Sequence, residues 1–499
     1  MKKIVIVVVV LVALLVVAPM GVGKLAQKRL DHGLDQLTEV APYLKVVENK
    51  YTAGLYKSEQ LVTFEVLGPW MRALSPKVLE EAMKKEGATP DGAATEPEPA
   101  VSASPDAEAP SEEAAEPAAK PEEPLRFTVR NEILHGPVLG LSGFGIARVD
   151  SHLVLSDEVR KKIAEIFGPK DPIEVTTRVG FFGGGTTTFK SEGRTIKPEK
   201  DKVEISWETF KVAVGYSYNA DTFDIDGKWP KLEVKNAEDK THFVMTDMTM
   251  DGDGKRALGD LYDGDFRFAI DKLSVVGKNS EAFELQDLTV TEVINTKDDF
   301  TGFSVKMGSG EVKMKELTNM GIVLKEIHYD IGMRRLHTPT LAKIMTGMKG
   351  MYTKPIANMA EIEKVMFAPL KEQGAELLKY DPEFVIDRIG LATADGDGYI
   401  KGVITLKGAT ADDFGVGNMG LIPKIHADLT IDVSEKMLQK FPNGSTAAGG
   451  GVDAGYLKRE GDRLICKILF ADGKLTVNGK PQAIPGLGGP PAGGPPVQE

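Results

Sequence analysis

One spacing of apolar residues recurs along the middle of this 499-residue chain. It places apolar side chains at positions 1, 3, 6 and 8 of an eight-residue unit, and four copies keep all four positions apolar: Ile205–Val212, Phe268–Val275, Phe283–Val290 and Ile322–Tyr329. A looser copy begins at Val312, continues through Met314 and Leu317, and has Asn319 in its last position. This repeat constrains the fold more than any other feature, because it limits which face each side chain can occupy.

Within each unit, a three-residue step separates the two apolar pairs. Side chains alternate between the two faces of a β-strand, so an uninterrupted strand would turn the second pair to the opposite face. A β-bulge adds one residue, restores the alternation and bends the strand. A two-residue turn between the pairs is the alternative. Bulged strands side by side predict a long, curved antiparallel sheet, groove-like, with one apolar face and one polar face.

The N-terminus, MKKIVIVVVVLVALLVVAPMGVG, predicts a transmembrane helix. Two lysines precede an uncharged run from Ile4 to Gly23, close to the ~20 residues that a spanning helix needs. Lys2 and Lys3 favour a cytoplasmic N-terminus, which places the bulk of the chain outside. A cleaved signal peptide is the alternative, because small residues follow the apolar core. Either interpretation predicts an exported chain.

The remaining patterns predict an α+β fold that is mainly β. We expect the following segments: 1–23 anchor, 24–85 helix and first β-hairpin, 86–124 disordered Ala/Pro/Glu-rich insertion, 125–336 repeated strands, 337–382 Met-rich helical segment packed on the sheet, 383–482 C-terminal β region, and 483–499 flexible Gly/Pro tail. Most of the formal net charge of −12 lies in the insertion, whose eleven acidic residues and one lysine contribute −10 and leave about −2 elsewhere. This balance argues against nucleic acid as a partner, since that function needs a clustered basic surface.

The stretch YTAGLYKSEQLVTFEV, residues 51–66, predicts a hairpin that starts the sheet near the membrane. Gly54 permits the turn, Leu55 and Tyr56 are expected on the apolar face, and Ser58 is expected to hydrogen-bond near the turn. The sequence assigns no base to Ser58. We therefore predict a structural role for this hairpin.

The sequence contains no convincing catalytic or metal-binding motif. Cys466 is the single cysteine, lies in the apolar run LICKILF, and excludes an intrachain disulfide. DGDGKR (251–256) and DGDGYI (395–400) lack the later oxygen ligands of a calcium loop, and Asp-Gly predicts turns there. No pair among the seven histidines has helical metal-site spacing. The sequence therefore predicts no catalytic residue, no metal site, no cofactor and no enzymatic activity.

Several stretches together resemble the YdgA-like family of bacterial envelope proteins of unknown function. The first hairpin is similar to that family's in Gly54, Tyr56 and Ser58, where Tyr56 replaces the more usual Phe. LHGPVLGLSGFGIARVDSHLVL resembles a second block through His135, Gly136 and Pro137. DPEFVIDRIGLATADGDGYIKGVITLKG resembles the block after the helices, and the C-terminal hairpin resembles a further block through Asn478 and Gly479. The resemblance implies an inner-membrane anchor and a periplasmic body, but no reaction.

The repeated unit also resembles the strands of AsmA-like and TamB-like envelope proteins, whose curved sheets form apolar grooves for lipid. Three functions remain open. The first is a membrane-tethered groove that binds lipid or another apolar ligand, and the second is a structural envelope scaffold that self-associates, as a homo-oligomer, through a sheet edge. The third is an envelope hydrolase, for which no motif is found. An unfilled apolar trough would favour the first, and a closed core the second.

Overall fold

A computed structural model describes residues 23–39, 41–67, 125–140, 143–197, 202–277, 282–353, 359–410, 413 and 416–483. Its main feature is one sheet of 23 strands in this part of the chain, and every strand pairing in it is antiparallel. The prediction of a mainly β fold is therefore confirmed. The insertion at 86–124, the tail from 484 and the anchor, apart from Gly23, lie outside the described residues. Among the residues described, no helix is long and apolar enough to cross a bilayer.

The strands are numbered in the order in which the chain forms them. They are β1 (Leu44–Thr52), β2 (Lys57–Val66), β3 (Arg126–His135), β4 (Ala147–Val154), β5 (Glu174–Val179), β6 (Gly185–Ser191), β7 (Arg194–Ile196), β8 (Val203–Trp207), β9 (Phe210–Tyr216), β10 (Thr222–Asn236), β11 (His242–Leu258), β12 (Leu261–Val276), β13 (Ala282–Lys297), β14 (Phe300–Ser309), β15 (Val312–Met314), β16 (Leu324–His337), β17 (Glu383–Thr393), β18 (Gly396–Leu406), β19 (Ile425–Ser434), β20 (Lys458–Glu460), β21 (Arg463–Ala471), β22 (Lys474–Val477) and β23 (Lys480–Gln482).

Strand order in the sheet follows chain order almost throughout. Strands β1 to β6 pair successively, β6 pairs with β9, and β9 to β14 continue the series. The series then passes from β14 through β16, β17, β18, β19 and β21 to β23. Short strands β7, β8, β15 and β20 extend these pairings. The chain is therefore a long meander, in which every second connection lies at the same end of the sheet.

The helices are few and lie beside the sheet. They are α1 (23–39), α2 (Asp157–Phe167), α3 (Lys315–Asn319), α4 (Thr338–Thr353), α5 (Met359–Leu378), α6 (Glu435–Leu438) and α7 (Gly444–Asp453), with a 3-10 helix at Val416–Lys424. Helix α1 packs Ala26 and Leu30 against a buried cluster that includes Ile133, Val149 and Val179 of β3, β4 and β5. Helix α1 therefore covers the face of β3, β4 and β5 that carries Ile133, Val149 and Val179.

The step inside the repeated unit is achieved without the predicted bulge in strands β10 to β13. Trp229 pairs with Met248 and Lys231 with Thr246, so pairing skips one residue in each strand and then resumes in the same register. The same skip occurs between β11 and β12 and between β12 and β13. Two skipped residues, Asp247 and Asp287, have φ of 46° and 50°, in the left-handed region. Because each strand breaks its alternation at the same level, no strand needs an extra residue relative to its neighbours.

A true bulge occurs where neighbouring strands differ. Strand β16 pairs Leu324 with Thr393 and Glu326 with Ala392, so Lys325 is an extra residue relative to β17. The bulge prediction therefore holds for the Ile322 unit at this pairing. The looser copy is wrong as a strand unit, because Leu317 lies in helix α3 after β15 ends at Met314.

Other local differences have clear physical reasons. The turn predicted at DGDGKR is wrong, because this stretch lies inside strand β11. A Cβ at Gly254 would overlap the Phe223 ring, so glycine at this position makes room for an aromatic side chain on the neighbouring strand. The sequence patterns do not predict helix α2, although Ser156 caps it by accepting a hydrogen bond from Val159 N. They do not predict helix α7 either, because its sequence, GSTAAGGGVD, is rich in glycine, which disfavours helices.

Two helices occupy the Met-rich segment. Leu341, Ile344 and Met348 of α4 pack with Leu336 and Leu377. Two residues that helical spacing places on the apolar faces of these helices, Met345 and Leu370, are instead exposed. Pro369 lies inside α5 and does not end it. Lys349 of α4 forms an ion pair with Asp260 in the β11–β12 turn, so α4 reaches the ends of the long strands.

Candidate functional site

One face of the sheet carries the apolar residues of the repeated unit in continuous cross-strand rows. Residues that pair directly in antiparallel strands lie on the same face, so the registers define the rows. One row runs Trp229, Met248, Ile270, Leu288; another runs Leu232, Met245, Leu273, Leu285, Val312, Leu324. We call the part on β9 to β13 the apolar face.

The apolar face keeps both halves of each unit together. Phe268 and Ile270, which precede the skip in β12, belong to the same cluster as Leu273, which follows it. Strand β11 adds a further copy, Phe243, Met245, Met248, Met250, which is absent from the copies recognised in the sequence. The spacing of these four residues could have revealed this copy in the sequence. Three of them are methionines, however, and methionine is as typical of helix packing as of strands.

The apolar face is made only of strand residues. Its eleven clustered side chains are Phe210, Trp229, Leu232, Phe243, Met245, Met248, Met250, Phe268, Ile270, Leu273 and Leu288. Three of them, Met245, Met248 and Ile270, are buried, and the other eight are partly exposed. Under α1, by contrast, the strand residues of the corresponding cluster are buried by helix side chains. Within the described residues, the cluster on β9 to β13 therefore includes no helix side chain.

The opposite face carries ion pairs. Glu284 lies 2.9 Å from Lys272 Nζ and 3.7 Å from Lys313 Nζ, and Glu311 lies 2.6 Å from the same Lys313. Hydrogen bonds from Lys313 and Lys325 lower the pKa of Glu311 from 4.5 to about 2. On β10, hydrogen bonds from Lys235, His242 and Lys231 lower the pKa of Glu233 to about 2. The sheet thus separates an apolar face from a charged one.

Two sequence-predicted motif residues, Ser58 and His135, meet at one end of the sheet. Ser58 Oγ lies 2.9 Å from His135 Nε2, and His135 Nδ1 lies 3.2 Å from the carbonyl oxygen of Leu55. A carbonyl only accepts, so Nδ1 of the neutral ring carries the proton and Nε2 accepts from the Ser58 hydroxyl. Gly54 N donates to Ser58 Oγ at 3.1 Å. A base therefore lies beside Ser58, which sequence reasoning did not find.

The surroundings of this pair favour a structural role. Ser58 is 7% and His135 4% exposed, and a Cβ added at Gly23 of α1 would lie 2.7 Å from His135 Cε1. A cavity of about 530 Å³ nearby is lined by Ser58, Gly54 and Ile133 together with their strand neighbours Lys57, Glu59, Glu132 and Leu134, and by Arg148 and Asp150. Lys57 and Glu59 alternate with Ser58 along β2, so their side chains lie on the face opposite to the Ser58 hydroxyl. The pair ties the β1–β2 turn to the end of β3.

A second polar network runs beneath α1. Asn49 Nδ2 donates to Asp31, Gln60 Nε2 donates to Asn49 at 2.9 Å, and Asn131 Nδ2 donates to Gln60 at 3.1 Å. Ser151 Oγ then donates to Asn131 at 2.7 Å. The network joins four adjacent strands to the helix and satisfies Gln60, which is almost fully buried. No sequence signal predicted it, because polar residues in strands usually face solvent.

The other motif residues stabilise turns. The Gly136–Pro137 peptide bond is cis, and a Cβ at Gly136 would overlap the carbonyl oxygen of Gly145. Asn478 accepts from Lys467 N at 2.9 Å and donates to the carbonyl oxygens of Gly455 and Tyr456. Asn478 and Gly479 have φ of 50° and 78°, as the tight β22–β23 turn requires. The expected packing of Leu55 and Tyr56 on the apolar face is wrong, because both are exposed at the hairpin tip.

A protein-family model for bacterial proteins of unknown function, DUF945, matches residues 1–485. The chain belongs to the DUF945 family. No curated protein and no solved structure matches it. The finer YdgA-like resemblance stays a prediction.

For this DUF945 protein, the structure brings together some of the predicted residues. Gly54, Ser58 and His135 form one hydrogen-bonded cluster at the end of β1 to β3, while Asn478 and Gly479 lie in the β22–β23 turn. In the described part of the chain, no group of three or more His, Cys, Asp or Glu side chains is arranged to hold a metal ion. Burial raises the pKa of the Cys466 thiol. The apolar face is therefore the strongest candidate for a functional surface of this DUF945 protein.

Proposed function

We propose that this DUF945 protein is a single-pass inner-membrane protein with a periplasmic body that binds an elongated apolar ligand, such as the acyl chains of a lipid. The observation that carries the proposal is the apolar face, whose eleven side chains all come from the sheet and of which eight remain partly exposed. Transfer of apolar surface out of water is worth roughly 25 cal/mol per Å², so an acyl chain laid across these strands would be stabilised along its length.

The cross-strand rows suit a linear ligand. Adjacent strands lie about 4.8 Å apart, so a row crossing β10 to β13 spans roughly 14 Å. The methionines of β11 add flexible, polarisable side chains, which adapt to ligands of varied shape. The uncharged N-terminal run supplies the membrane anchor in this proposal.

The test uses photo-crosslinking at two neighbouring positions of β12. Benzoylphenylalanine replaces Phe268 on the apolar face in one variant and the exposed Arg267 on the opposite face in the other. The chain is expressed in a bacterial envelope, irradiated, and analysed by mass spectrometry for covalent lipid. Lipid adducts at position 268 and not at position 267 are expected. Equal labelling at both positions, or none at 268, would contradict the proposal.

Native mass spectrometry with lipid extraction, on residues 24–499 purified gently from the periplasm, provides the second measurement. Stoichiometric phospholipid or another acyl species is expected. The alternative of a scaffold that self-associates through a sheet edge predicts a lipid-free, homogeneous protein, whose mass reports the oligomer.

A further inference from the structure

The hairpin loops at one end of the sheet carry exposed apolar side chains. Three connections lie at the same end, because every second connection of a meander does so. They are the β1–β2 turn (53–56), the described parts of the β3–β4 connection (136–140 and 143–146) and the β5–β6 turn (180–184). Their exposed apolar residues are Leu55, Tyr56, Val138, Phe144, Phe181 and Phe182. Phe182 is 94% and Phe144 70% exposed. Apolar side chains exposed singly are common, whereas several grouped at one end of a sheet indicate an interaction surface.

Direct contacts join these loops to one another. His135 N donates to Tyr56 O at 2.9 Å, which joins the first loop to the second. Ile146 N donates to Val179 O at 2.8 Å, which joins the second loop to the third. From β1 to β6 the surface extends about 24 Å at ~4.8 Å per strand. We call this surface the loop end.

The N-terminal run of the sequence ends at the loop end. Helix α1 places Gly23 against the His135 ring at this end, while its later residues Asp31 and Leu34 lie beside β1. The uncharged run Ile4–Gly23 therefore joins the described chain here and not at the far ends of the strands. In the proposed function this run enters the bilayer, and in the sequence it continues directly into Gly23, which brings that bilayer next to the loop end.

The chemistry of the loop end suits the interface of a bilayer. Tyrosine is favoured at headgroup level, where its ring is apolar and its hydroxyl is wet, and Phe and Leu side chains bury themselves at the boundary between headgroups and acyl chains. Lys24, Lys28 and Lys57 are exposed around the same end, and cations there attract anionic headgroups. Apolar loop tips surrounded by lysines are therefore expected to bind a lipid surface, where the apolar side chains leave water and the lysines contact anionic headgroups.

We propose that the loop end of this protein inserts Leu55, Tyr56, Val138, Phe144, Phe181 and Phe182 into the outer interface of the membrane that the N-terminal run enters. The sheet then stands on the bilayer with β1 to β6 nearest to it, and its strands are held at a fixed orientation. This inference rests on the membrane anchor of the proposed function, but not on a ligand bound to the apolar face.

The test measures the depth of single spin labels in the full chain, in vesicles of phosphatidylethanolamine and phosphatidylglycerol. Cys466→Ala removes the single native thiol, and Phe182→Cys, Phe144→Cys or Ile173→Cys adds one labelled site. Ile173 is the matched control, since it is 53% exposed and lies just before β5, at the opposite end of the strand from Phe182. Power saturation compares access of oxygen, which concentrates in lipid, with access of a water-soluble nickel chelate.

A higher oxygen-to-nickel access ratio is expected at 182 and 144 than at 173. A label at 182 with as much access to the nickel chelate as the label at 173 would overturn the proposal. Spin–spin broadening at 182 with little access to either reagent would also overturn it, and would indicate contact with a second copy. A chain that fails to float with the vesicles overturns both this proposal and the membrane anchor. Failure of lipid crosslinking at position 268 leaves it unaffected.

Discussion

Ser58 Oγ lies 2.9 Å from His135 Nε2, although the two residues are 77 positions apart in the chain. The contact joins the first hairpin to the strand that follows the Ala/Pro/Glu-rich stretch, and it is buried beneath Gly23 of α1. Its two hydrogen bonds to backbone, through Gly54 N and Leu55 O, hold both sides of the β1–β2 turn. The relationship links the fold of the loop end to the place where the N-terminal run ends.

Ser58→Ala should destabilise the protein by about 1–3 kcal/mol, because it leaves His135 Nε2 buried without a partner. The measurement is the free energy of unfolding in urea. Thr63→Ala is the matched control, since Thr63 and Thr128 share a hydroxyl hydrogen bond across the same two strands in a less buried place, and it should cost about 0.5–1.5 kcal/mol at most. An equal or smaller loss for Ser58→Ala would show that the pair does not clamp the turn.

Gly54→Val should lower the melting temperature, because any Cβ at this position overlaps the carbonyl oxygen of Lys57. Forcing atoms into such a place costs roughly 1–3 kcal/mol. Gly33→Ala in α1 serves as the control, since a Cβ there meets no atom within 4 Å and alanine favours a helix by about 1 kcal/mol. The two substitutions should therefore shift the melting temperature in opposite directions, and an unchanged value for Gly54→Val would contradict the placement of the turn.

Substitutions at Asp247 test whether the skip in strand pairing, which lies at the same level in β10 to β13, needs a residue with left-handed backbone. The Asp247 φ of 46° is left-handed, a region that asparagine tolerates and that disfavours a β-branched residue by about 1–2 kcal/mol. Both Asp247→Val and Asp247→Asn lose the weak ion pair with Lys228, so their difference isolates the backbone. Urea unfolding should show Val less stable than Asn by about that amount. Similar stabilities would mean that the interruption does not require the left-handed residue.

The sequence predicted the apolar face but not how the strands achieve it. Spacing within Phe268–Val275 shows that one strand breaks its alternation, yet a bulge and an aligned interruption give the same spacing in a single strand. Only the neighbouring strands decide between them. The skipped residues Asp247, Asp271 and Asp287 lie at one level only because of the strand registers, which the turn lengths set. The Ser58–His135 contact could not be predicted from the sequence for a similar reason. It depends on the register of β2 against β3, two strands that a long stretch of chain separates.

The charged face predicts loss of stability in acid. Hydrogen bonds from Lys313 and Lys325 hold the pKa of Glu311 at about 2 in the folded protein, against 4.5 ordinarily. Hydrogen bonds from Lys235, His242 and Lys231 do the same for the pKa of Glu233. A carboxyl group with a depressed folded pKa stabilises the fold above its unfolded pKa, and this contribution is lost as the pH falls toward the folded value. The melting temperature should therefore decline between about pH 5 and pH 2.

Glu311→Gln should reduce the slope of that decline, since the amide does not titrate, while Glu59→Gln on a strand outside both ion-pair groups should leave it unchanged. A slope that Glu311→Gln does not alter would show that the Lys313 and Lys325 pairs contribute little to folding.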